Sequence, residues 1–217
     1  MKILMVGITC LFSLSTLVVT AQRTISEGTL VYNISVETGT KEPKMADMLD
    51  GATTTIYLKN NESRSELVSG LGSEVTIHDY RSGNGVILKD YSGQKLMITL
   101  AREDWLKKNK RYEGITFDNT SETAVIAGYK CTKAVAKLND GSTFTVFYTT
   151  ELIVANKDFD NPFKSLPGLA LQYESQSGKL QLKYTLSRIS FDVVSASKFD
   201  IPKSGYRVLT YDETQKK

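Results

Sequence analysis

"LQLKYTLSRISFDV", Leu180 to Val193, decides the fold. Its apolar residues fall first on even numbers, at Leu180, Leu182, Tyr184 and Leu186, and then on odd ones, at Ile189, Phe191 and Val193. Successive side chains of a strand point to opposite faces, so a buried face has period two. A parity switch within one run needs an extra residue to restore the facing, which predicts a β-bulge near Ser187. Bulges bend strands, and bent strands let a sheet curl.

The same alternation recurs along the chain. Leu30, Tyr32, Ile34 and Val36 share a face, as do Leu96, Ile98 and Leu100. So do Phe144, Val146 and Tyr148, and Leu169, Leu171 and Tyr173. One wet and one dry face per strand is the mark of antiparallel sheet. The joints are short and turn-rich: "SGNG" at 82–85, "YSGQK" at 91–95, "NDGS" at 139–142 and "SQSGK" at 175–179. Asp140-Gly141 is the strongest hairpin signal, as a two-residue turn with positive φ at both central positions.

Two short helices are expected. "EPKMADMLDG", 42–51, has Pro43 at a first helical position and Gly51 just past the end. Met45, Met48 and Leu49 lie on one side of it. "REDWLKKNK", 102–110, opens with acids and closes with lysines, and Trp105 and Leu106 supply its buried edge. The whole predicts a mainly β fold: a strongly curved antiparallel sheet, a half-barrel, with one or two short helices on its concave side.

The first 21 residues read as a signal peptide, with Lys2, an apolar run from Ile3 to Val19, and Val19-Thr20-Ala21 before a cut at Gln22. Cys10 lies inside the apolar run and reads as part of it. Residues 22–217 are then expected to form a single β-rich domain, exported to the periplasm or the cell surface and not membrane-spanning after cleavage. The chain carries a formal charge of +3, and loss of Lys2 leaves +2. Near-neutral charge with scattered cations argues against nucleic acid. Cys131 would be the remaining cysteine, so the fold stands on packing without an internal disulfide.

"SLPGLALQYE", Ser165 to Glu174, places a Pro-Gly pair between leucines. Leu166-Pro167-Gly168-Leu169 fits a type II turn, with glycine taking positive φ at the third position. Its apolar flanks make the corner either a packed one or a lip for a ligand or partner. The stretch resembles the signature of the GLPGLI family, exported proteins common in Bacteroidota and mostly of unknown function. "IAGYKCTKAVAKL", Ile126 to Leu138, resembles that family's Tyr-x-Cys-x-x-Ala strand, and "FTVFYTTEL" its next strand. "FDIPKSGY", Phe199 to Tyr206, looks like a closing segment of related proteins. Ser165 and Ala170 stand where the family has glycine and isoleucine. Such families are similar to the LolA/LolB-like group, and the resemblance implies a curved half-barrel that holds acyl chains.

Candidate chemistry is sparse. Alternation puts His78, the single histidine, with Thr76 and Tyr80 on the wet face. A Ser-His-Asp triad would have to use it, and no Gly-x-Ser-x-Gly elbow is present. Cys131 reads as a buried thiol, with a reactive thiol or inter-chain pairing as the alternative. Asp158, Asp160 and Asn161 in "NKDFDNPF" have a spacing that can hold calcium, or form an ordinary polar loop. No metal or other cofactor is expected. Met45, Met48 and Met97 are adaptable apolar groups, and the Met45/Met48 helix is either a lid or a core plug.

The reading that follows is an exported, non-catalytic binding protein, expected to carry a hydrophobic small molecule or lipid. Expected ligand contacts are Met45, Met48, Leu49, Met97, Trp105, Leu166 and Leu169. The alternative is an accessory subunit of an outer-membrane assembly, recognising an outer-membrane protein through a sheet edge or the Leu166–Leu169 corner. An enzyme would need Glu103 and Asp104 to converge with Asp158 or Asp160, yet adjacent helical residues point apart.

Overall fold

The computed structural model describes residues 22–37, 48–177 and 180–216; the expected signal segment and Met45 lie outside the described residues. The chain opens with β1 (Arg23–Ile25), β2 (Glu27–Val36), β3 (Thr53–Lys59), β4 (Glu62–Ser69) and β5 (Gly72–Asp79). It continues through β6 (Gly85–Tyr91), β7 (Gln94–Leu100), helix α1 (Arg102–Asn109), β8 (Thr116–Ile126), β9 (Tyr129–Lys137) and β10 (Thr143–Thr149). β11 (Leu152–Val154), β12 (Leu169–Ser177), β13 (Leu180–Ser190), β14 (Arg207–Thr210) and α2 (Tyr211–Gln215) complete it. Of the expected helix 42–51, the described end is helical at Met48 and Leu49, and Gly51 follows at φ +74°.

Among the described residues, twelve strands form one sheet in the order β14-β7-β6-β5-β4-β3-β2-β13-β12-β10-β9-β8. Its neighbours pair antiparallel except β14, which lies parallel to β7. β1 and β11 form a separate parallel pair. The β2–β13 register shifts between Leu186 and Arg188, where the parity switch predicts a bulge, and Ser187 Oγ donates to Val31 O at 3.1 Å. Further register shifts fall at Phe147/Tyr148 and at Asn119/Thr123.

The curvature can be read from what meets. Glu74 on β5 and Phe144 on β10 line the same cleft, although six strand spacings, roughly 29 Å in a flat sheet, separate them. The sheet is therefore strongly bent and remains open between β14 and β8. The concave side carries α1, the 3-10 turns Lys110–Tyr112, Lys157–Phe159 and Asn161–Phe163, and the β1–β11 pair. Ile25, Leu152 and Val154 of that pair pack on Leu30, Tyr32, Ile56, Leu171 and Leu186.

Several local expectations are corrected. Strands β5–β7 do not have one wet face, because both are covered. Ile87, Ile98 and Leu100 lie under Trp105 and Tyr211, while Ile77, Val86, Leu88 and Met97 lie under Val194 and Phe199. The β9–β10 hairpin forms at Asp140-Gly141, but only Gly141 takes positive φ, +82°. Gly141 N donates to Leu138 O, and Leu138 N to Ser142 O, giving a three-residue loop rather than the two-residue turn. Leu106 is exposed instead of forming a buried edge.

The Pro-Gly corner is corrected as well. Gly168 does not have positive φ, so the type II turn is not formed. Glycine is required for another reason: a Cβ there would stand 1.9 Å from the Thr149 carbonyl oxygen. The corner passes so close to the end of β10 that no side chain fits. Leu166 and Leu169, 1% and 3% exposed, pack inward on either side. Gly168→Ala should lower stability by about 1–3 kcal/mol, the usual cost of overpacking, without changing the ligand-free strand content. Urea denaturation followed by circular dichroism checks this, and an unchanged midpoint would refute the close approach.

Candidate functional site

The concave face holds a partly open cleft of about 610 Å³. Register explains its two unlike walls. Tyr32↔Thr54, Thr54↔Leu67, Ile56↔Ser65 and Ser63↔His78 are cross-strand neighbours, so these side chains share the inner face. Thr54, Ser63 and Ser65 line one side of the cleft with hydroxyls. On the other side Val146↔Tyr173 and Tyr173↔Tyr184 bring aromatics into a row. Tyr173 and Tyr184 stack with centroids 4.8 Å apart and planes at 8°, and Phe163 leans on Tyr173 at 4.8 Å. Phe144 meets Phe163 edge-on at 6.0 Å.

The cover comes from two connections. The 3-10 turn Lys110–Tyr112 contributes Arg111 and Tyr112, and the turns Lys157–Phe159 and Asn161–Phe163 contribute Phe159, Asp160, Pro162 and Phe163. Asn156 Oδ1 accepts the Asp158 N–H and fixes the first of these turns, and Pro162 starts the second. Lys157 Nζ donates to Leu166 O at 3.0 Å, tying the loop to the Pro-Gly corner.

Three carboxylates line the cleft. Glu74 pairs with Lys89 at 3.0 Å, and Glu174 accepts the Thr145 N–H at 3.1 Å. Asp160 is half-buried between the aromatic residues, and among the described residues no cation or donor meets its carboxylate. Lys164 is held by Asp158 instead. Burial alone pushes the Asp160 carboxyl up to about 7, and the phenols of Tyr32, Tyr80 and Tyr173 are raised by burial and by its charge.

His78 is not on a wet face: it is 3% exposed. Its ring stacks on Trp105 at 3.9 Å and meets Tyr80 edge-on at 4.3 Å. Nε2–H donates to Gly83 O at 3.1 Å, while Nδ1 meets no partner among the described residues, and burial lowers the imidazole pKa. The face it shares with Thr76 is the inner one, closed over by α1. Tyr80 and Ser63 share a 2.7 Å hydrogen bond at the edge of the hydroxyl wall.

None of the described residues expected to touch a ligand lines the cleft. Met48 is exposed, its backbone bonded to Gly70, and Leu49 packs on Ile34 and Leu182. Met97 lies on the convex face, and Trp105 covers His78. Leu166 packs with Val146 and Phe163, and Leu169 with Leu171 and Tyr32. Leu169 does border a small adjoining void of about 20 Å³, which also touches Asp160. Cys131 is buried, and burial pushes its thiol up to about 11, which leaves it protonated at neutral pH. Among the described residues no three His, Cys, Asp or Glu side chains converge as a metal set. Asp104 Oδ2 accepts the Ala101 N–H at the start of α1 and is not among the residues that line the cleft.

The raised Asp160 has a stability consequence. Its folded pKa lies above the unfolded value, so its penalty is absent below about pH 4, grows as pH rises, and is complete above about 7. Asp160→Asn should therefore stabilise the protein at pH 8, by at most about 4 kcal/mol, and have no stabilising effect at pH 3.5. Melting curves across that range check it; an equal shift at both pH values would mean the carboxyl is well solvated.

No protein-family model matches the chain, and no curated protein matches it. Solved structures are similar at a distance. PNGF-II aligns at 14% identity and TM-score 0.46 over 87% of this chain and 33% of its own. An uncharacterized conserved protein from Thermus thermophilus aligns at 7% identity and TM-score 0.47, over 84% of this chain and 90% of its own. The Pseudomonas aeruginosa MucA/MucB complex aligns at 11% identity and TM-score 0.43, over 81% of this chain and 56% of its own. The chain thus spans about a third of PNGF-II.

Proposed function

We propose that this chain is an exported, non-catalytic binding protein whose concave cleft takes up one amphipathic guest. The observation that carries the reading is the cleft itself: about 610 Å³, with an aromatic wall facing a hydroxyl wall. That volume is in the range of sites for small molecules. A purely hydrophobic cargo would match an apolar lining, but Thr54, Ser63, Ser65, Glu74, Asp160 and Glu174 make this one mixed. An acyl or ring portion would lie along Phe144, Phe163, Tyr173 and Tyr184, and a polar portion would meet the hydroxyls. Lipids with polar heads remain within this class.

The signal-like first 21 residues and the resemblance to GLPGLI proteins support export to the periplasm or cell surface. No described helix is long and apolar enough to cross a membrane. Asp104 is engaged in capping α1 and Asp158 in an ion pair with Lys164, while Asp160 lines the cleft, a division that supports a binding role. The accessory-subunit reading finds less support. Both leucines of its Leu166–Leu169 corner are buried, which leaves Pro167 as the exposed residue there, and the free edge strand β8 carries Asp118, Glu122 and a register break, features that discourage strand addition.

Filling the cleft tests the proposal. Ser65→Trp, on the hydroxyl wall, should weaken uptake of the fluorescent probe N-phenyl-1-naphthylamine at least tenfold while circular dichroism stays unchanged. Native mass spectrometry of the gently purified protein should reveal a bound small molecule that the variant lacks. Equal probe uptake by both proteins, with no bound mass on either, would overturn the reading.

A further inference from the structure

We propose that the guest carries an organic cation, an ammonium headgroup on an apolar body, held by Asp160 within the aromatic wall of the cleft. This rests on the cleft being a ligand site and names the chemistry of its guest. Charge accounting comes first. Three carboxylates and one guanidinium, that of Arg111, line the space. Glu74 is satisfied by Lys89, and Glu174 by the Thr145 N–H. Arg111 sits at the exposed rim, 5.2 Å from the Tyr112 ring. Asp160 is the carboxylate in the lining that neither a cation nor a hydrogen-bond donor among the described residues meets, since Lys157 binds the Leu166 carbonyl and Lys164 binds Asp158.

An unanswered carboxylate among aromatic rings is costly when charged and the protein is empty. A cationic guest removes that cost, and aromatic faces add to its attraction, since ring quadrupoles favour cations by about 0.5–2 kcal/mol per contact. Phe159 and Phe163 flank Asp160 in sequence and line the same cleft, and Tyr173 stands against Phe163. An anionic head would meet an acidic lining, so charge also excludes the opposite class. The adjoining void bounded by Phe159, Phe163 and Ala170 leaves slack beside the carboxylate rather than a packed wall.

Three amphiphiles with the same tail, used below their micelle concentrations, separate the possibilities: dodecyltrimethylammonium, dodecyl sulfate and dodecyl maltoside. Calorimetric titration at pH 8 should give dodecyltrimethylammonium at least tenfold tighter binding than dodecyl sulfate. Asp160→Asn should erase that preference while dodecyl maltoside still binds as it does to the native protein. The preference should also shrink by pH 5.5, as the carboxyl takes up a proton. The shifted groups around it do not reproduce that change: burial and the Asp160 charge raise the phenols of Tyr32, Tyr80 and Tyr173, and burial lowers the imidazole of His78, which is stacked on Trp105. Equal binding of the three heads, a preference for sulfate, or a preference that survives Asp160→Asn would each overturn the cation assignment while leaving the cleft as a ligand site. Failure of all three amphiphiles to bind would overturn both.

Discussion

The bend of the sheet is the constraint on which everything else depends. A flat sheet of this strand order would hold the β5 and β10 side chains roughly 29 Å apart, and no shared cleft would exist. The bend is distributed over sites where the ladder slips, the Leu186/Arg188 bulge in the centre and the breaks at Phe147/Tyr148 and Asn119/Thr123 toward the β8 edge. A bulge adds twist as well as a kink, so it tilts β13 relative to β2 and turns the next strands inward. The Tyr173–Tyr184 stack, a direct cross-strand pair, then lies on the shorter inner arc, where neighbouring side chains converge.

Bending creates a second requirement, since the convex side spreads apart and exposes apolar strand residues. The segment after β13 meets it by running back across the outer surface of β3–β7. Val194 and Phe199 cover Ile77, Val86, Leu88 and Met97. Polar clamps hold it: Lys59 Nζ donates to Val194 O at 2.8 Å, and Val194 N donates to Glu27 Oε1 at 2.7 Å. Arg64 Nη1 donates to Lys198 O at 3.0 Å, and Lys198 Nζ to Tyr57 Oη at 3.3 Å. The Lys59 bond is also the main cause of the lowered Glu27 carboxyl. The strap ends as β14, which closes one side of the sheet beside β7.

This strap explains which parts of the molecule were legible in the sequence. Period two, turn residues and the parity switch at Ser187 are local signals, and they yield strands, bulge and bend. Which face of β5 is wet is not local. Thr76, His78 and Tyr80 read as the solvent side, but α1 covers that face at His78, and the strap covers the opposite face at Val75 and Ile77. Met97 fails for the same reason: its flexible apolar chain suits a cavity or a convex-face seam equally, and only topology chooses. Gly168 was legible as indispensable but not for its cause, because the approach of Thr149 O comes from 19 residues earlier in the chain. Of the cleft, the aromatic alternation of Phe144, Tyr173 and Tyr184 was visible as strand, and Asp160 was visible as loop. Their meeting required the bend.

The polar residues of the hydroxyl wall carry the last step. An inner face meant only for packing gains most from Val, Ile or Leu, since each fully buried aliphatic chain stabilises by about 1.5–3 kcal/mol. The neighbouring positions on the same face obey that rule, with Leu30, Leu58 and Leu186 buried against the β1–β11 pair. Thr54, Ser63 and Ser65 depart from it where the sheet lines the cleft instead of packing on another element. Hydroxyls deprived of hydrogen bonds cost about 1–3 kcal/mol each, so the cleft is suited to water or to a guest with polar groups. The boundary between the Leu-rich and Ser/Thr-rich parts of one face marks where the fold ends its packed core and begins its cleft.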